Sequence, residues 1–147
     1  MLYLDTNIFI YAAESRSPHY QTSKDLLHQL FSQKLPFTTS AQTFQEVIHL
    51  SKKLHHLKRG LKICRTILKL IPQPLPINTA VIKRYLKFTS KYPKLQSRDC
   101  LHLAICQIYS IPILVTQDKT LTHTKVTKLK IQTPEQFLKA LKLSKQP

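Results

Sequence analysis

Glycine is almost missing from this chain, with Gly60 the single one in 147 residues. Loops that bring backbone amides against phosphates, such as the dinucleotide fingerprint and the P-loop, need several glycines for that close approach, so both are excluded. Cysteine is scarce too. Cys64, Cys100 and Cys106 form an odd set without CxxC spacing, and each lies among apolar residues at helical spacing, which reads as buried free thiols instead of a disulfide framework or a zinc site. The seven histidines show no HExxH motif and no paired ligand spacing, and read as solvent-facing or core residues. No apolar run approaches the ~18 residues of a membrane helix, and the amino terminus has no basic start leading into a long hydrophobic stretch. The expectation is a soluble, cytoplasmic chain without a membrane partner.

Acid is the other shortage. Lys and Arg number 23 against 7 Asp and Glu, a net charge of +16 with an isoelectric point near 10.0. Such a surface attracts polyanions, nucleic acid first and acidic proteins second, although lysines also serve solubility alone. The length suits one domain over 1–147, enough to bury a core without metal or disulfide.

Short apolar runs alternate with helical periodicity. Leu2 to Leu4 reads as a strand, followed by a polar turn and a helix carrying Ile8, Phe9, Tyr11 and Ala12. Leu26, Leu27, Leu30 and Phe31 predict an amphipathic helix over 19–34 begun near Pro18, and residues 36–38 a brief second strand. Helices are expected over 40–54, from an opening at Gly60, and over 81–92, with a three-proline turn at IPQPLPIN between the last two. Leu101, Ala104, Ile105 and Ile108 mark another helix with Ser97 as its cap, and IPILVT over 111–116 reads as a doubly covered parallel strand. At the end Thr133, Pro134 and Gln136 form a capping-box pattern. The alternation predicts an α/β domain with a mostly parallel sheet.

With so few acids, each is weighed by its neighbours. Glu135 complements a helix dipole, and Asp25 and Glu14 read as solvated surface charges. Asp5, Glu46, Asp99 and Asp118 instead lie beside apolar residues. Asp5 and Asp118 follow strands and Asp99 opens a helix, which places three of them on the rim where parallel sheets bind ligands. Each has an ordinary structural reading: Asp5, Asp99 and Asp118 as cap or turn residues, and Glu46 paired with Lys52 or Lys53. Four carboxylates in one crevice, however, repel one another unless a cation sits among them. Mg²⁺ or Mn²⁺ suits hard oxygen ligands, and the chemistry that follows is phosphodiester hydrolysis, with lysines holding the polyanion.

LDTNIFIYA, FQEVIHL around Glu46, SRDCLHLAIC around Asp99, ILVTQDKTL around Asp118 and IQTPEQFLKAL occur in an order, spanning the whole chain, that resembles the PIN-domain proteins, and among them the VapC-type ribonuclease toxins. The resemblance implies a three-layer α/β/α sandwich, a metal-dependent endoribonuclease leaving 5′-phosphate and 3′-hydroxyl ends, an RNA substrate, a cognate antitoxin and a homodimer. Carried over by position, it implies Asp5, Glu46, Asp99 and Asp118 as catalytic metal-site acids and Thr116 as the hydroxyl beside the metal. Asn7 is then a residue that orients Asp5, or a turn-stabilising side chain, and Arg98 either meets the scissile phosphate or faces solvent. Two other readings stay open: a non-catalytic RNA- or ribosome-binding module whose acids are caps, and a PIN-like nuclease in RNA processing without an antitoxin.

Overall fold

The computed structural model describes residues 1–143. Four short strands, β1 (Leu2–Leu4), β2 (Phe37–Thr38), β3 (Ile113–Val115) and β4 (Lys130–Gln132), form one sheet in the order β2-β1-β3-β4, and every neighbouring pair is parallel. Successive side chains of a strand face opposite ways. Tyr3 and Leu114 accordingly enter one buried cluster with Val81, Phe88, Leu103 and Leu121, while Leu2, Leu4 and Val115 enter a second with Ile8, Leu26, Leu30, Val47, Ile67 and Phe137. Helices α5 (Thr79–Lys91), α6 (Ser97–Ile108) and α7 (Lys119–Thr122) supply the first cluster. Helices α1 (Thr6–Ala12), α2 (Tyr20–Ser32), α3 (Ala41–Lys53), α4 (Leu57–Leu70) and α8 (Pro134–Leu143) supply the second. The result is the α/β/α sandwich expected from the sequence.

Chain order leaves β1 in one direction to reach β2 and in the other to reach β3. Two adjacent strands whose connections diverge open a crevice at their carboxyl ends. Asp5 directly follows β1 and Thr116 directly follows β3.

The helix starts differ from the sequence reading in ways that local bonding explains. Pro18 lies in a turn in which the Ser17 hydroxyl accepts from the His19 amide at 3.1 Å, and α2 begins only at Tyr20. Gln96, not Ser97, stands at the cap position of α6 and makes no side-chain cap bond there, while the Ser97 hydroxyl is paired with Tyr85 OH at 2.6 Å. Gly60 does not open α4, which begins at Leu57; it is buried one turn in, where α4 crosses α3. The capping box at the last helix forms as expected: the Gln136 side chain accepts from the Thr133 amide at 2.9 Å, and the Thr133 hydroxyl accepts from the Gln136 amide at 3.2 Å. Leu75, in the proline-rich turn, makes a single parallel bridge to Ser40. The three cysteines are buried and free.

Candidate active site

Asp5 is fixed from both sides. The Thr6 amide donates to its Oδ1 at 2.6 Å, while Oδ2 accepts from the Thr116 hydroxyl at 2.6 Å and from Asn7 Nδ2 at 2.8 Å. Asn7 also donates to Thr116 Oγ1 at 3.0 Å, and its own oxygen accepts from the Gln117 amide at 3.2 Å. The β1–α1 turn is thereby tied to the end of β3, and Asn7 makes the hydrogen bond to Asp5 that would orient it, with Thr116 adding a second. Asp118 continues the same path: its amide donates to Thr116 Oγ1 at 2.9 Å, and its Oδ1 accepts from the amides of Thr120 and Leu121 at 2.7 and 3.1 Å. Its capping role and its place at the crevice are thus compatible, since one carboxylate oxygen is left for the open side.

Glu46 reaches the crevice from α3. It accepts from Gln42 Nε2 at 2.9 Å and from His102 Nε2 at 2.9 Å, so its partner is a buried histidine and neither Lys52 nor Lys53. His102, on α6 and 1% exposed, also stands 3.4 Å from Asp5 Oδ1. Burial alone would drive the proton from its ring, but the bond to Glu46 and the charges of Asp5, Glu46 and Asp99 outweigh that and hold the proton more tightly than a free imidazole would. Its Nδ1 lies 2.6 Å from Tyr3 OH, which lies 2.6 Å from the Ser40 hydroxyl. When the ring is protonated both nitrogens donate, and the chain runs from Glu46 through His102 and Tyr3 to Ser40. The sequence reading missed His102 as a site residue. In LHLAI it looks like any core histidine; its i+3 spacing from Asp99, on one helical face, was the available signal.

Asp99 sits in the first turn of α6 and is 5% exposed. Burial, then the charges of Asp118 and Asp5, raise its pKa to about 6 against the weaker pull of Arg98, whose Nε is 3.9 Å away and whose side chain is half exposed. Burial raises Asp5 as well, with His102 and the Thr116 hydroxyl opposing. At Glu46 burial acts in the same sense, but His102 and Gln42 overcome it and keep the carboxyl below its usual range.

All four acids line one cavity of about 460 Å³ together with Asn7, Arg98 and Lys119. They do not stand equally close. Asp5, Glu46 and His102 offer atoms within 4.8 Å of one another, and among the described residues this is the only group of His, Cys, Asp or Glu so tight. Asp99 and Asp118 line the same cavity without joining that group. Buried carboxylates held partly toward protonation are donors short of positive charge, and hard oxygens in a half-open space match a divalent cation of the Mg²⁺ type. A larger cavity of about 690 Å³ between α1 and α4 contains one acid, Glu14, already paired with Arg59 at 2.8 Å.

Comparison with known proteins gives a consistent picture. Ribonuclease VapC23 of Mycobacterium tuberculosis is 27% identical over 124 residues, covering 84% of this chain and 94% of the relative. Ribonuclease VapC13 of the same organism is 24% identical over 119 residues, covering 81% and 91%. Among solved structures, FitAcB from Neisseria gonorrhoeae superposes with a TM-score of 0.71 at 19% identity, over 92% of this chain and 99% of that one. VapC20 of M. tuberculosis, a sarcin–ricin loop cleaving toxin, superposes with a TM-score of 0.71 at 11% identity, over 87% and 98%. The family model of the PIN domain matches residues 2–126, from β1 through the whole acidic crevice, and the chain therefore belongs to the PIN-domain family.

Proposed function

We propose that this protein is a divalent-metal-dependent endoribonuclease, the toxin half of a toxin–antitoxin pair, and that Asp5, Glu46, Asp99 and Asp118 are its metal-site acids. The observation that carries this reading is the opening of those four carboxylates onto one cavity in a protein of net charge +16. The donor set fits Mg²⁺ or Mn²⁺, which bind through a few carboxylates and retain waters for the remaining positions. Such an ion, when bound, lowers the pKa of a water and offsets the negative charge that grows on the phosphate. The protein does the rest. Thr116 and Asn7 lock the Asp5 carboxylate in one orientation, and His102 and Gln42 lock Glu46. Arg98 and Lys119, at the mouth of the cavity, carry the positive charge that meets the RNA backbone.

The ribonuclease names of the relatives and the VapBC structures among the similar chains support RNA as substrate and an antitoxin as partner, and we take a homodimer as the working state. A cytoplasmic location agrees with an RNA substrate, and no described helix is long and apolar enough to cross a membrane.

The test is incubation of a mixed structured RNA pool with the purified protein in Mg²⁺, in Mn²⁺ and in EDTA, beside an Asp99→Asn variant. Cleavage that needs the metal and falls at least a hundredfold in the variant is expected. Salt-sensitive RNA binding with no cleavage under any metal would instead make the protein a binding module, and full cleavage by the variant would remove Asp99 from the site.

A further inference from the structure

The acidic cavity does not end at Glu46. Thr6, Glu46 and Arg98 line both it and a second cavity of about 510 Å³ that continues between α3 and the start of α6. The two spaces are therefore connected at the carboxylate that marks the reaction centre. One wall of the second cavity is a single face of α3, with Gln42, Gln45, His49 and Lys53 falling at i, i+3, i+7 and i+11. Gln96 and Arg98 stand on the opposite wall.

The side chains of this wall are of an unusual kind for so basic a surface. Gln42 is occupied in orienting Glu46 at 2.9 Å. Gln45, His49 and Gln96 are exposed, and among the described residues their side chains make no hydrogen bond. A neutral amide offers a donor and an acceptor side by side, and an imidazole offers one of each on two nitrogens. That pattern is complementary to the Watson–Crick edge of a base, whereas phosphate, which has only acceptors, would use the donors alone. The cationic groups of the lining are Lys53, at the end of the α3 face, and Arg98, on the opposite wall. A duplex has its base edges already paired, whereas splayed single-stranded bases leave them free for reading.

We propose that this cleft seats one unpaired base of the RNA substrate beside the scissile phosphate, with Gln45 and His49 reading its edge and Lys53 and Arg98 gripping the phosphates on either side. The proposal rests on the catalytic reading above, and it assigns sequence preference at a nucleotide next to the cut to the α3 face. The volume lies within the range of small-ligand sites, about 300–1,000 Å³.

The test compares cleavage-site profiles of a randomised single-stranded RNA pool cut by the wild-type protein and by a Gln45→Ala, His49→Ala double variant, both in Mn²⁺. The exposed positions keep the fold intact, which a thermal melt checks. Wild-type protein is expected to prefer one base at a position adjoining the cut. In the double variant the rate at the preferred sequence falls roughly tenfold more than the rate at the least preferred one, the size of a lost edge contact. Lys53→Ala slows all sequences alike and lowers the slope of log affinity against log salt by about one. A wild-type profile flat at both adjoining positions, or a preference unchanged in the double variant, overturns the proposal. If no RNA is cut at all, the catalytic reading fails by itself, and binding decides the cleft: the Asp99→Asn protein in EDTA is titrated by fluorescence anisotropy with hexanucleotides differing in one base. Base-dependent affinity erased by the double substitution upholds the cleft, and affinity that ignores the base overturns it.

Discussion

At the scale of single residues, what decides the behaviour of the site is the burial of its acids, with repulsion among them second. Asp99 is raised to about 6 by burial and by Asp118 and Asp5, against an unfolded value near 3.8. A carboxyl raised on folding binds its proton more tightly in the native state, so it destabilises the metal-free protein once pH passes the unfolded value, and the penalty is complete above about 6. Asp99→Asn removes it. In EDTA the variant should resist urea better than the wild type by about 1–2 kcal/mol at pH 7.5, a figure reduced from the full shift because the open side of the cavity screens part of the repulsion. That gain should shrink as pH falls through 6 and vanish below 4, as urea melts at three pH values will show. The acids were legible in the sequence because they are few and because strand ends and a helix start set each of them apart from the lysines. His102 was not, since the residues that make it part of the site, Asp5 and Glu46, are distant in sequence and come from other elements.

At the scale of elements, the scarcity of glycine has an effect that composition alone did not foretell. The left-handed turns after α2, α3 and α6 fall to Lys34, His55 and Ser110, with φ of 52, 58 and 53°, positions that glycine commonly fills. The one glycine serves a close contact between helices instead. A Cβ at Gly60 would lie 2.1 Å from Ser51 Oγ and 2.5 Å from Ser51 Cβ, so α4 can approach α3 only because the side chain is missing. Gly60→Ala should therefore cost about 1–3 kcal/mol despite the better helix propensity of alanine, and Ser51→Gly in the same chain should restore part of the loss, a coupling that thermal melts of the four-variant cycle would measure. Periodicity made the order of elements readable and the apolar runs made the sheet readable. Helix starts were less so, because a serine such as Ser97 caps a helix only if its hydroxyl is not already paired with a distant tyrosine.

At the scale of the whole molecule, the charges are sorted. Four of the seven acids line one cavity, with Arg98 and Lys119 beside them, and outside it Glu14, Asp25 and Glu135 stand against the other 21 Lys and Arg. Binding of metal-free protein to single-stranded RNA should consequently weaken steeply with salt, by about 300-fold between 50 and 200 mM NaCl if six phosphates are neutralised, and a fall under tenfold in an anisotropy titration would show that the basic surface is not the RNA-binding surface. Burying two acids side by side ordinarily drives a proton onto one of them unless a partner offsets the charge. Here His102 Nε2, backed by Tyr3 and Ser40, hydrogen-bonds Glu46 at 2.9 Å and stands 3.4 Å from Asp5, so one buried ring attends both acids. The tightest corner of the cavity thus brings its own proton donor, supplied by the fold rather than by anything that binds there.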